Sequence, residues 1–125
     1  MIQLDDYNKF CKSLPVTTYV IQWHGSHVWK VADKVFAIGV LDGRKHLGIT
    51  FKVSKITFEC LKDTSGFRPA PYLASRGMSW LQFYHEKGHF KEDIQAHLTE
   101  SYRIVSCGLP KKKKRELRLN NFIGT

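Results

Sequence analysis

The sequence has no long apolar run. Its hydrophobic residues, 42% of the chain, are interrupted throughout by polar ones, so no segment reads as a membrane span. The opening residues, MIQLDDYNKF, lack both a basic leader and an apolar stretch, which argues against a secretory signal. Cysteine is scarce. Cys11, Cys60 and Cys107 are odd in number, far apart and form no CxxC pair. No disulfide framework is expected, and a cytoplasmic location is. The GxGxxG and phosphate-loop patterns are absent, and so is a GxSxG elbow. The few carboxylates are scattered, with no pair placed for acid–base work. These absences leave a non-enzymatic protein without a cofactor as the expectation.

Positive charge, by contrast, is abundant. Twenty Lys/Arg against eleven Asp/Glu give +9 over 125 residues. Residues 1–110 hold fourteen basic and ten acidic residues, and residues 111–125 hold six and one. More than half of the excess therefore lies in a short basic tail. Such a balance favours polyanionic partners, nucleic acid among them. Aromatics at 13% are enough for one packed core. The expected organisation is a single domain over 1–110, followed by the tail 111–125.

Apolar spacing predicts the elements. Leu4, Tyr7, Cys11 and Leu14 recur at helical intervals until Pro15, giving a first helix over Leu4–Ser13. TTYVIQW, HVWKV, VFAIGV and LGITFKV are β-branched and aromatic, and HGS, ADK and LDGRKH separate them as turns. They predict a four-stranded antiparallel meander. Ser54 then caps a short helix whose apolar side is Ile56, Cys60 and Leu61, with Gly66 just past its end. MSWLQFY predicts a fifth strand. A last long helix starts near Lys91, with Phe90, Ile94, Leu98, Tyr102 and Val105 on one stripe, and Gly108 and Pro110 end it. The three cysteines are expected to be small buried hydrophobes. The order α, four β, α, β, α predicts an α+β sandwich: an antiparallel sheet of about five strands with helices packed on one face.

Two motifs mimic metal sites. HEKGH, His85 to His89, matches the zinc-peptidase pattern, but it falls between a strand and a helix and contains Gly88. A zinc peptidase needs both histidines one turn apart on a helix, so a turn is expected instead. HGSH offers His24 and His27, two ligands of the four a structural zinc takes.

The stretch GFRPAPYLASRGMSW, residues 66–80, is poor for a helix interior and for a central strand. Pro69 and Pro71 stiffen it and remove two N–H donors, which places it at a sheet edge. Trp80 and Tyr72 are expected to pack against the core, leaving Arg68 and Arg76 as forks for phosphate. The run Lys111, Lys112, Lys113, Lys114 and Arg115 reads either as the solvated face of a short helix begun by Pro110 or as a phosphate-contacting patch.

VWKVADKVFAIGV, ITFKVS, GFRPAPYLASRGMSW and SYRIVSCGLPKKKKREL together resemble the MmcQ/YjbR family. The resemblance implies a frataxin/CyaY-like α+β sandwich and DNA binding through a double-wing arrangement of loops. It covers Trp29 and Lys30 in VWKV, Lys34 in the hairpin, Lys52 in TFKVS, and RPAPYLASRG with Trp80. The sequence departs at Ala32-Asp33, where relatives often carry glycines, and at Ser79, where they often carry a basic residue. The likeness to frataxin also implies iron. Here the first helix offers only Asp5 and Asp6, with Lys9 and Lys12 following.

The expectation is a protein that binds double-stranded DNA through its backbone. Arg68, Arg76 and residues 111–115 would contact phosphate, with Lys30, Lys34 and Lys52 in support. No base-reading helix is evident, so strong sequence preference is not expected. The alternative is a protein- or small-ligand-binding module using an open sheet face and the 66–80 loop. A metal-handling protein using His24 and His27 or His85 and His89 ranks third.

Overall fold

Alternation of apolar residues builds the sheet first. A computed structural model describes residues 3–43, 46–71, 78–84 and 91–116 of the chain. Six strands form one antiparallel sheet: β1 (Thr17–Gln22), β2 (Ser26–Val31), β3 (Lys34–Leu41), β4 (Leu47–Lys52), β5 (Phe67–Pro69) and β6 (Trp80–Phe83). Their order is β1-β2-β3-β4-β6-β5. The helices are α1 (Leu4–Ser13), α2 (Lys55–Leu61), α3 (Lys91–Cys107) and α4 (Lys111–Glu116). The α+β architecture and the meander β1–β4 agree with the sequence.

Register sorts the side chains into rows that cross all six strands. Tyr19, Trp29, Ala37, Phe51, Leu81 and Pro69 form one row, and Ile21, His27, Gly39, Ile49, Phe83 and Phe67 the next. Both rows face α1 and α3. Tyr7 and Cys11 of α1 and Ile94, Leu98 and Tyr102 of α3 close the core over them. Between these rows and pointing the other way run Val20, Val28, Ile38, Thr50, Gln82 and Arg68.

Two local features fit the helices to the sheet. Gly39 leaves room for α1: a Cβ there would lie 2.6 Å from Cε2 of Tyr7. Phe36 is a β-bulge, the extra residue between the pairs Trp29–Ala37 and Lys30–Val35. The bulge turns both Phe36 and Ala37 into the core and interrupts the ladder to β4. The fully buried Ser101 of α3 fills the gap, its hydroxyl donating to the Phe36 carbonyl at 2.6 Å and accepting from the Lys52 N–H at 2.9 Å.

Several boundaries differ from expectation. Among the described residues there are six strands rather than about five, because Phe67–Pro69 pairs with β6. The prolines hid this strand, yet an edge strand tolerates Pro69, whose missing N–H needs no partner on the open side. Trp23 belongs to the turn after β1, not to the strand. Trp23, His24 and Gly25 all have positive φ, at 51°, 62° and 88°. β4 ends at Lys52 and β6 begins at Trp80. Ser54 does cap α2, accepting from the Thr57 N–H at 3.1 Å. The inner side of α2 is Phe58 and Leu61, however, while Ile56 is 78% exposed and Cys60 is exposed. A seven-residue helix shows too little periodicity for its faces to be read from sequence. The cap after α2 is Lys62, and Gly66, at φ +93°, instead turns the chain into β5. Pro110 lies one position before α4, its carbonyl accepting from the Lys114 N–H.

Candidate nucleic-acid interface

The outward rows of the sheet bring three of the expected cations to one face. Arg68 lies on β5 opposite Gln82, Lys30 on β2 opposite Thr18, and Lys52 on β4 opposite Trp80. Gln82 belongs to the outward row and Trp80 is two residues away on the same strand, so both carry their partners to that face. Strands are about 4.8 Å apart. Lys30 therefore stands about two strand spacings from Lys52, and Arg68 lies two strands across from Lys52 and two residues further along the sheet.

Arg68 is the best positioned. Its Nε–H donates to Gln82 Oε1 at 2.7 Å, and its guanidinium carbon lies 4.7 Å from the centre of the Tyr84 ring. Gln82 is buried, so its amide is a fixed acceptor. Gly48 permits that placement, since a Cβ on it would come within 3.3 Å of Gln82 Nε2. A neutral amide and an aromatic ring orient the guanidinium without neutralising it. Its outer N–H groups remain for an anion.

The middle of this face is not open. Val28, Thr50, Gln82 and Trp80 are all buried, so the accessible polar groups of the face stand toward its margins. Trp80 is packed as expected, and its indole N–H has no hydrogen-bond partner among the described residues.

Lys34 is not part of this arrangement. It pairs with Val31, a residue of the core side, at the end of the β2–β3 hairpin. That hairpin turns through Ala32 and Asp33 at φ 49° and 66°, the pair of positive angles of a type I′ turn. Glycines are easiest at these positions, and here an alanine and an aspartate adopt them. Lys111, Lys112, Lys113, Lys114 and Arg115 all lie on α4, with Lys114 half-buried and the others exposed. Leu109, just before α4, is part of the core. Arg76, Tyr72, His85 and His89 lie outside the described residues.

Ion pairing divides the cations in two. Lys62 pairs with Glu59 at 2.8 Å, Lys91 with Asp6 at 2.9 Å and Arg103 with Glu100 at 2.5 Å. Lys91 and the Gln3 N–H hold the Asp6 carboxyl below its ordinary range, and Arg103 does the same for Glu100. Among the described residues, none of Lys9, Lys12, Lys30, Lys34, Lys52, Lys55, Arg68 or the α4 cations has a carboxylate within salt-bridge distance.

The histidines of HGSH are separated by role. His24 sits in the turn, while His27 lies in β2 with its Nδ1 2.6 Å from the Tyr19 hydroxyl. Among the described residues, no three His, Cys, Asp or Glu side chains are grouped to hold a metal. No helix there is long and apolar enough to cross a membrane.

Sequence reasoning missed Gln82 and Tyr84, which hold Arg68, and Trp23, which is 55% exposed at a hairpin tip. The spacing Gln82–Tyr84 is a same-face signal on a strand. It could be used only once Phe67–Pro69 was known to be the neighbouring strand.

The YjbR family model matches residues 12–104. Among solved structures, the chain is similar to Deinococcus radiodurans protein DR2400, a DUF419 domain, with a TM-score of 0.81 at 22% identity over 94% of this chain and 88% of that one. It is also similar to a protein from Pseudomonas syringae, with a TM-score of 0.68 at 15% identity over 82% and 98% of the two chains. These likenesses show a shared fold. The comparison with curated proteins gave no match.

Proposed function

This chain belongs to the YjbR family, and from that premise we propose that it is a non-enzymatic DNA-binding protein that grips the phosphate backbone of a duplex. One observation carries the reading. The cations of α4 and of the outward sheet face are unpaired among the described residues, whereas Lys62, Lys91 and Arg103 are matched to carboxylates. Unpaired cations release counterions when they meet phosphates, which is the main source of non-specific affinity. Arg68 contributes an oriented fork, Lys30, Lys52 and the four lysines of α4 contribute ammonium point charges, and Arg115 adds a second guanidinium. Arg76 belongs to the same proposal on sequence grounds. Lys34, on the other side of the sheet, is at most a peripheral contact.

Fluorescence anisotropy on a random-sequence duplex tests this. Binding is expected at micromolar protein in ~50 mM salt, with little difference between sequences. No binding under those conditions would contradict the proposal.

A further inference from the structure

The two edges of the sheet are treated differently. At one edge, β5 is three residues long and carries Arg68 and Pro69, two features that keep an edge from pairing. At the other, β1 is six residues long, TTYVIQ, without a charge, a proline or a bulge. It pairs with β2 alone among the described residues. Its side chains are exposed on both faces: Tyr19 43%, Val20 36% and Ile21 57%. An uncharged edge with exposed Tyr19, Val20 and Ile21 at its centre is a template for another strand.

We infer that β1 pairs antiparallel with β1 of a second copy of this chain, about a two-fold axis at Val20. This does not depend on DNA binding. An axis perpendicular to the sheet keeps the helix faces of both copies on one side, so paired residues must share a face. Centring on Val20 satisfies this throughout. Tyr19 meets Ile21 of the second copy, twice, in a favourable aromatic–β-branched pair. Thr18 meets Gln22, and Val20 meets itself. No like charges are opposed in the strand.

The space beside β1 fits the same partner. A cleft of about 480 Å³ lies over Tyr19 and Trp29 and is bordered by Asp5, Asn8, Lys9 and Lys12 of α1. Ile21 of the second copy would enter it. The two-fold axis also runs α1 antiparallel to its mate, which sets Asp5 toward the Lys12 end of the other helix. Neither Asp5 nor Lys12 has an ion-pair partner among the described residues.

Sedimentation velocity and a cross-link test the proposal on the purified full chain without DNA. At about 100 µM protein and about 0.15 M salt, the expected species has twice the 14.5 kDa chain mass. Ile21→Lys should return it to a monomer with an unchanged circular dichroism spectrum. Paired Cα atoms across an antiparallel ladder are about 4.5–5.5 Å apart, within disulfide reach. In a Cys60→Ser, Cys107→Ser background, Val20→Cys should therefore cross-link to itself under copper–phenanthroline, and Thr18→Cys should not. A monomer at that concentration, including one that pairs only with a foreign strand, overturns the inference. So does a dimer in which Ile21→Lys changes nothing or Thr18→Cys cross-links as well as Val20→Cys.

Discussion

Arg68 is aimed by Gln82: the Nε–H of the arginine donates to the buried amide oxygen at 2.7 Å, across adjacent strands. The relationship separates charge from orientation. Arg68→Gln should weaken duplex binding several-fold and reduce the salt slope by about 1, the signature of one lost phosphate contact. Gln82→Ala should weaken binding less and leave the slope unchanged, because the charge stays while its aim is lost. Anisotropy at three or more salt concentrations distinguishes the two. Equal slopes for Arg68→Gln and the parent would remove Arg68 from the interface.

Ser101 joins β3 to β4 where the bulge at Phe36 opens the ladder. Ser101→Ala leaves the buried Phe36 carbonyl and the part-buried Lys52 N–H without their partner. The expected loss of stability is about 1–3 kcal/mol, read from the denaturant midpoint at constant slope. A change within error would mean that water replaces the hydroxyl.

Gly39 is required by a close approach. Its backbone angle is ordinary, but any Cβ meets the Tyr7 ring at 2.6 Å. Tyr7 is fully buried and its hydroxyl is tied to the His27 carbonyl at 2.7 Å, so the ring has little freedom to retreat. Gly39→Ala should cost about 1–3 kcal/mol through overpacking. Thermal unfolding of the variant measures it.

Alkaline pH should destabilise the fold. Burial pushes the Cys11 thiol up, the Tyr7 hydroxyl well up, and the Tyr102 hydroxyl up to about 12. A group whose value is raised by folding supports the folded state while protonated in both states. That support is lost as pH rises from the unfolded value toward the folded one. The decline should begin near the unfolded thiol's ~8.5 and steepen near the tyrosines' ~10. Melting temperature followed from pH 7 upward should show it, and Cys11→Ala should flatten the first part. In the folded protein, a thiol reagent should label exposed Cys60 and spare buried Cys11.

Much of this architecture was legible in the sequence where periodicity ran long enough. α1 and the stripe Ile94, Leu98 and Tyr102 were readable because each spans several turns. The meander was readable because its strands alternate with turn residues. β5 was not, since three residues containing a proline carry no period. The face of α2 was lost for the same reason. Its single inward turn uses Phe58 and Leu61, and two neighbouring apolar residues point out. At the site, the residue types that could meet phosphate were readable, but their grouping was not. That Lys30, Lys52 and Arg68 share a face while Lys34 does not depends on the bulge at Phe36 and on the order β4-β6-β5. Both are properties of pairing rather than of spacing.

The most direct measurement is the slope of log K against log salt for duplex binding, taken on the full chain and on a chain ending after Pro110. With about five phosphates neutralised, the full chain should give a slope near −4 to −5. The truncated chain, without the cations of α4, should give a clearly shallower one. A full-chain slope near zero, or identical slopes for the two chains, would contradict the placing of the basic helix in the interface.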